Sequence, residues 1–151
     1  MAATASNTKR RSIWCCGCNT DVNARLTDGT EVYPRRTDLA RMPFWICDGC
    51  GNSVGTHHRH ENRAMRHHPL GVIPTAELRS ARKMIHSILD PLWQRGGGYK
   101  RRLLYATIAK RMGIETFHTA ELRTIEATRE AYRIIRDIRR NGLSPTQETE
   151  P

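Results

Sequence analysis

Apolar positions change their period once along this chain. Between residues 12 and 56 they come in short alternating runs, and beyond residue 74 they recur every three or four positions. Val22, Ala24 and Leu26 alternate with polar neighbours, as a half-buried strand requires. Ile13-Trp14, Phe44-Trp45-Ile46 and Ser53-Val54-Gly55 are further short strands. Asp28-Gly29 follows the alternating run and predicts a hairpin turn, because both residues tolerate positive φ. Glu31-Val32-Tyr33 is then the returning strand, ended by Pro34. Further on, Leu78, Ala81, Ile85, Ile88, Leu89 and Leu92 mark one face of a helix, with Thr75 as its cap and Glu77 against the positive end of the dipole. Arg95-Gly96-Gly97-Gly98 breaks it. The spacing predicts a second helix over 99–112, with Leu103, Leu104, Ile108 and Met112 inward and Gly113 as a C′ glycine. A third is predicted over 119–140, with Leu122, Ile125, Tyr132, Ile135 and Ile138 inward.

The change of period separates two regions. Residues 1–11 read as a disordered basic start, 12–70 as a domain of short strands with a His-rich loop, 71–142 as a helical domain and 143–151 as a flexible tail. The expected fold class is α+β, an N-terminal unit of short antiparallel strands packed on a C-terminal three-helix unit. At 151 residues and 38% hydrophobic composition, the chain is not generously supplied with core.

The cysteines explain how a short front region holds its shape. Four of the five form two pairs, Cys15-x-x-Cys18 and Cys47-x-x-Cys50, with 28 residues between them. Each pair curls the backbone so that two sulfurs face one centre, and two such turns supply the tetrahedron that zinc accepts. Cys16 offers an alternative start, but Cys16-Gly17-Cys18 has a single spacer and cannot make the two-residue turn. The residue after the second ligand favours positive φ, and Asn19 and Gly51 stand there. Cys15, Cys18, Cys47 and Cys50 are therefore the predicted ligands of one structural Zn²⁺, with Cys16 a spare thiol, and residues 12–70 read as a zinc-ribbon domain with a His-rich loop. Four sulfurs close the coordination shell, whereas catalytic zinc keeps a position open for water.

No apolar run approaches the length of a membrane-spanning helix. The polar, then basic start argues against a secretory signal and predicts the reducing cytoplasm, where paired cysteines hold metal.

The formal charge is +10, concentrated in residues 71–142, where fifteen Lys/Arg face seven Asp/Glu. Such a surface attracts phosphate chains, or is simply a solvated face. Lys100, Arg101, Arg102, Lys110 and Arg111 crowd the two ends of the second helix and are the candidate nucleic-acid contacts. Arg82, His86 and Asp90 stack at intervals of four as a possible contact patch, or as a series that stabilises the helix. Five of seven histidines lie between His57 and His68 (His57, His58, His60, His67 and His68). Carboxylates are scarce there, so a hydrolytic metal centre is the weaker reading beside an irregular surface loop. No catalytic residue is assigned.

The run Phe44-Trp45-Ile46-Cys47-Asp48-Gly49-Cys50-Gly51-Asn52-Ser53-Val54-Gly55-Thr56-His57 resembles a family of small zinc-finger-containing proteins, mostly from phages and prophages, of unknown function. Pro69-Leu70-Gly71, Glu77-Leu78-Arg79, Arg82, His86, Asp90, Leu92-Trp93, Tyr105, Ile108-Ala109 and Met112-Gly113-Ile114 also fit. The resemblance covers roughly residues 15–130 and implies a zinc-binding domain followed by helices, and a phage origin. The expected function is a non-enzymatic, zinc-binding accessory protein that contacts DNA or RNA. The alternatives are an adaptor or inhibitor acting on a host protein, and a metal-dependent nuclease. No membrane or small-molecule partner is indicated.

Overall fold

In the computed structural model, residues 8–143 are described. The starting segment 1–7 and the tail 144–151, expected to be unstructured, lie outside them. The chain divides into two compact units, with the division after Glu77.

The front unit is built on a four-stranded antiparallel meander in the order β1-β2-β3-β4. Its strands are β1 (Arg10–Cys15), β2 (Thr20–Asp28), β3 (Pro43–Ile46) and β4 (Ser53–Gly55). The register aligns Ile13 with Val22, Leu26 with Trp45, and Trp45 with Val54. Because side chains alternate along a strand, these residues share one face. With Cys15, Ala24, Cys47 and Ile73 they form the core of this unit.

Three expectations are corrected here. Strand β1 begins at Arg10, inside the segment expected to be disordered through residue 11. The unit also runs past residue 70, because Ile73 pairs beside Cys15. Its N–H donates to the Trp14 carbonyl, and its carbonyl accepts from the Cys16 N–H, each at 2.8 Å. Ile73 is fully buried, so the segment leading to it belongs to the sheet. Thirdly, Asp28-Gly29 does not turn a hairpin. Gly29–Val32 forms a short helical turn, α1. The Asp28 carboxylate accepts from the Thr30 N–H at 2.9 Å and caps that turn. The predicted strand at Glu31-Val32-Tyr33 is thereby replaced. The connection then passes through a 3-10 turn, Thr37–Leu39, before β3 pairs with Arg25–Asp28 of β2.

The rear unit contains α2 (Ala76–Trp93, its first two residues lying before the division), α3 (Arg101–Met112) and α4 (Ile125–Asn141). Its core gathers Ile85, Leu89 and Leu92 of α2, Leu104 and Ile108 of α3, and Ala131, Ile135 and Ile138 of α4. Phe117, in the α3–α4 connection, is 2% exposed and packs edge-on against Tyr105 at 5.5 Å. Gly113 ends α3 at φ 70°, as the sequence implies.

Three assignments change in this unit. The segment opening at Thr119 is only a 3-10 turn, Thr119–Glu121. Thr124 is the true cap, its hydroxyl oxygen accepting from the Ala127 N–H at 3.1 Å, so α4 starts six residues later than predicted. Leu103, expected inward, is 53% exposed. Leu143, assigned to the tail, packs partly buried against the helical core.

Candidate metal centre

The strand period places the ligands. Cys15 follows Ile13 by two and Cys47 follows Trp45 by two, so both sulfurs continue the buried apolar face of the sheet. Each strand then runs into a turn that returns the second cysteine of its pair, Cys18 or Cys50, at the surface. The chain recovers direction through Asn19 at φ 53° and Gly51 at φ 76°. These are the two positions for which the sequence predicts positive φ, and Asn19 is the one non-glycine residue among those described to adopt it.

The four sulfurs lie within 4.8 Å of one another. Cys15 and Cys50 are separated by 3.4 Å, and Cys18 and Cys47 by 3.7 Å. A regular tetrahedron with Zn–S bonds of about 2.3 Å has S···S edges of about 3.8 Å. The donor set and its spacing therefore fit one four-coordinate zinc ion. Cys16 lies outside the group; its backbone is engaged with Ile73.

Neighbouring groups brace both turns. In the second, the Gly51 N–H donates to the Cys47 carbonyl at 2.7 Å, and the Cys47 N–H to the Asn52 carbonyl at 2.8 Å. The Asn52 side-chain amide donates to the Cys50 sulfur at 3.2 Å. Gly17 lies against this amide: a Cβ there would stand 2.5 Å from Asn52 Nδ2 and 3.3 Å from Cys50 Sγ. Outside the sulfur shell, Arg25 donates to Asp48, the residue following Cys47, and to Glu31 of α1.

The four thiols differ in how their surroundings act on them. Burial pushes the Cys15 thiol up to about 12, against the backbone N–H groups of Cys18 and Gly17 directed at its sulfur. The Cys18 thiol is raised chiefly by its hydrogen bonds with Cys47 and Cys50. For Cys50, burial acts upward, but the Asn52 backbone N–H and the other three sulfurs outweigh it and bring the thiol down. Four adjacent thiolates repel one another; a divalent cation at their centre reverses that and favours deprotonation.

The remaining candidates are distributed differently. His57 and His68 pair through their backbones at 3.0 Å, with ring centres 6.1 Å apart. His67 is anchored through its carbonyl, which accepts from Trp45 Nε1 at 2.7 Å. His58 Nδ1 lies 3.3 Å from the Thr56 carbonyl, and His60 Nδ1 accepts from the Asn62 N–H at 3.1 Å. Among the described residues, the four-cysteine group is the one cluster with metal-ligand spacing, and no histidine belongs to it.

On α2 the stripe divides. Arg82 is buried, its Nη2 donating to the Leu122 carbonyl at 2.6 Å, which secures the α3–α4 connection. His86 and Asp90 remain as a pair at 3.1 Å, and Trp93 Nε1 donates to Asp90 at 3.3 Å. On α3, Arg101 lies over the rings of Tyr105 and Trp93, at 4.4 and 5.3 Å. Arg111 is ion-paired with Asp137 at 2.6 Å. Lys100, Arg102 and Lys110 are exposed.

Fold and site together define a zinc-ribbon protein with a structural four-cysteine centre, followed by helices. Residues 11–139 match a family described as a zinc-finger-containing domain, and the chain belongs to that family. No curated protein and no solved structure matches the chain. Among the described residues, no helix is long and apolar enough to cross a membrane.

Proposed function

We propose that this chain is a non-enzymatic accessory protein whose zinc ribbon is a structural module and whose helical unit binds nucleic acid. The observation that carries the reading is the charge of residues 71–142, where fifteen Lys/Arg stand against seven Asp/Glu. Lys100, Arg102 and Lys110 present part of that charge to solvent. A surface of one sign draws in phosphate chains and raises encounter rates with them. The zinc centre supports an accessory role: four sulfurs complete its shell and leave no position for a water nucleophile. A phage-encoded factor working in the cytoplasm, where thiols stay reduced, suits this small basic form.

The test is binding of the zinc-loaded chain to labelled DNA and RNA across a salt series. Affinity is expected to fall steeply between 50 and 200 mM salt, with a linear log–log slope, because each neutralised phosphate releases counterions. Absence of binding, or a flat salt response, removes the reading.

A further inference from the structure

The geometry points to one face of α4 as a docking surface for the sugar–phosphate backbone of a nucleic-acid duplex. The inference rests on the nucleic-acid reading above and names the surface that performs it. Arg129, Arg133, Arg136 and Arg140 follow one another at intervals of four, three and four. At about 100° per residue this spacing confines them to an arc of roughly 60°. Their Cα positions extend over about 16 Å of helix axis. All four are exposed. The buried residues of α4 (Thr128, Ala131, Ile135 and Ile138) occupy the opposite side. The stripe is therefore the part of the helix directed furthest from its own core.

The nearby acids leave this face positive. Asp137 is held by Arg111 and by the Asn141 side chain, each at 2.6 Å. Glu126 sits in the first turn, where it complements the helix dipole, and lies at the edge of the stripe one turn before Arg129; Glu130 stands further to the flank, so four guanidinium groups outnumber the carboxylates bordering them that are not already held. Glu121, which the longer predicted helix would have carried, lies in the preceding 3-10 turn. No carboxylate among the described residues forms an ion pair with any of the four arginines. Beside the stripe, Ile88, Tyr132, Arg136, Arg139 and Arg140 line a cleft of about 360 Å³. An isoleucine, a tyrosine and three guanidinium groups suit a phosphodiester with its sugar, since guanidinium binds phosphate through paired donors.

A duplex fits better than a single strand. Single-strand binding relies on exposed aromatic rings on which bases stack. Every Phe, Tyr and Trp of the chain is among the residues described, each is buried or half-buried, and the stripe has beside it a single ring, Tyr132, in the cleft wall rather than a row of rings for successive bases. Nor does the stripe offer the Asn and Gln pairs that read base edges, so contact without sequence preference is expected.

The test uses the full, zinc-loaded chain and a 20-base-pair DNA of mixed sequence, with its component single strand as a second probe. The variants are the four single Arg→Gln changes (Arg129→Gln, Arg133→Gln, Arg136→Gln and Arg140→Gln), their combination, and the matching fourfold Arg→Lys change. Glutamine and lysine are both good helix formers at exposed positions. Each single glutamine is expected to reduce the salt slope by about one, and the combination by about four, while the lysine variant keeps the parent slope. Combined Lys100→Gln, Arg102→Gln and Lys110→Gln is expected to retain most of it. If the parent binds but the α4 variants keep its slope, this inference fails and the nucleic-acid reading stands. If the α4 variants lose binding but the parent prefers the single strand, the duplex assignment is overturned. If the parent binds neither probe, both the reading and the inference fall.

Discussion

Arg25 grips Asp48 and Glu31 with one guanidinium. Its Nη2 donates to an Asp48 carboxylate oxygen at 2.8 Å, while Nη1 and Nη2 each reach a Glu31 oxygen at 2.9 Å. Asp48 follows ligand Cys47, and Glu31 belongs to α1. The strand residue thus ties the second cysteine turn to the helical turn that replaced the expected hairpin. Both carboxyls are held below their ordinary values, chiefly by the Arg25 hydrogen bonds. Arg25→Gln is expected to weaken zinc retention by on the order of tenfold, in the range of groups that orient metal ligands. Arg25→Lys should not restore it, because an ammonium cannot span both carboxylates in the same plane. Competition with a chromogenic chelator measures this, and an unchanged zinc affinity would refute the coupling.

The cysteine assignment separates two neighbours. Cys15→Ser is expected to reduce bound zinc from one ion per chain to almost none, and Cys16→Ser to leave it at one. Since metal binding and folding are coupled in such small units, zinc removal should abolish the near-ultraviolet signal of Trp45, which lies in the ribbon core. The helical ellipticity should persist, because α2, α3 and α4 share a core that contains no ligand. Elemental analysis beside circular dichroism checks both; zinc loss in Cys16→Ser would reassign the ligand.

A pH dependence follows from Asp137. Its hydrogen bonds from Arg111 and Asn141 hold the carboxyl below its ordinary 3.8. A group whose folded value is depressed contributes stability above its unfolded value and loses it as pH falls through the folded one. Asp137→Asn should therefore lower the melting temperature of the helical signal at pH 7 by about 2 °C, the scale of a surface pair. The gap from the parent should close steadily below pH 3.8. An equal gap at pH 3 and pH 7 would contradict the linkage.

Much of the metal centre was legible because its signals are local. Two-residue spacers fix the turns, and Asn19 and Gly51 declare the positive φ that each turn needs. The errors arose where a local signal serves two structures. Asp followed by Gly can open a hairpin or cap a helix; at Asp28 the side chain caps the turn through the Thr30 N–H, and Arg25, three residues earlier, holds Glu31 of that turn by a side-chain contact that no periodicity reveals. Thr119 and Thr124 both precede acidic residues and read alike as caps; Leu122, buried in extended backbone between them, shifts the start to the second. Leu103 and Leu104 are adjacent, so one helix face cannot bury both; the reading that placed both inward holds for Leu104 and fails for Leu103. Phe117 had no signal beyond its hydrophobicity in a short loop. Arg82 looked like part of a polar surface, whereas a long side chain can also carry its charge inward to a carbonyl.

The corner between α2 and α3 is closed by a doubled-back chain, with the Tyr99 N–H donating to the Leu92 carbonyl at 3.0 Å. At its apex, a Cβ on Gly97 would collide with the carbonyls of Pro91 and Leu92. That spot accepts a hydrogen atom and nothing larger. Substitution could wander across most of the helical surface and leave this bend intact, yet a single methyl group at the apex would force the two rods to splay, making the plainest residue of the corner the least replaceable.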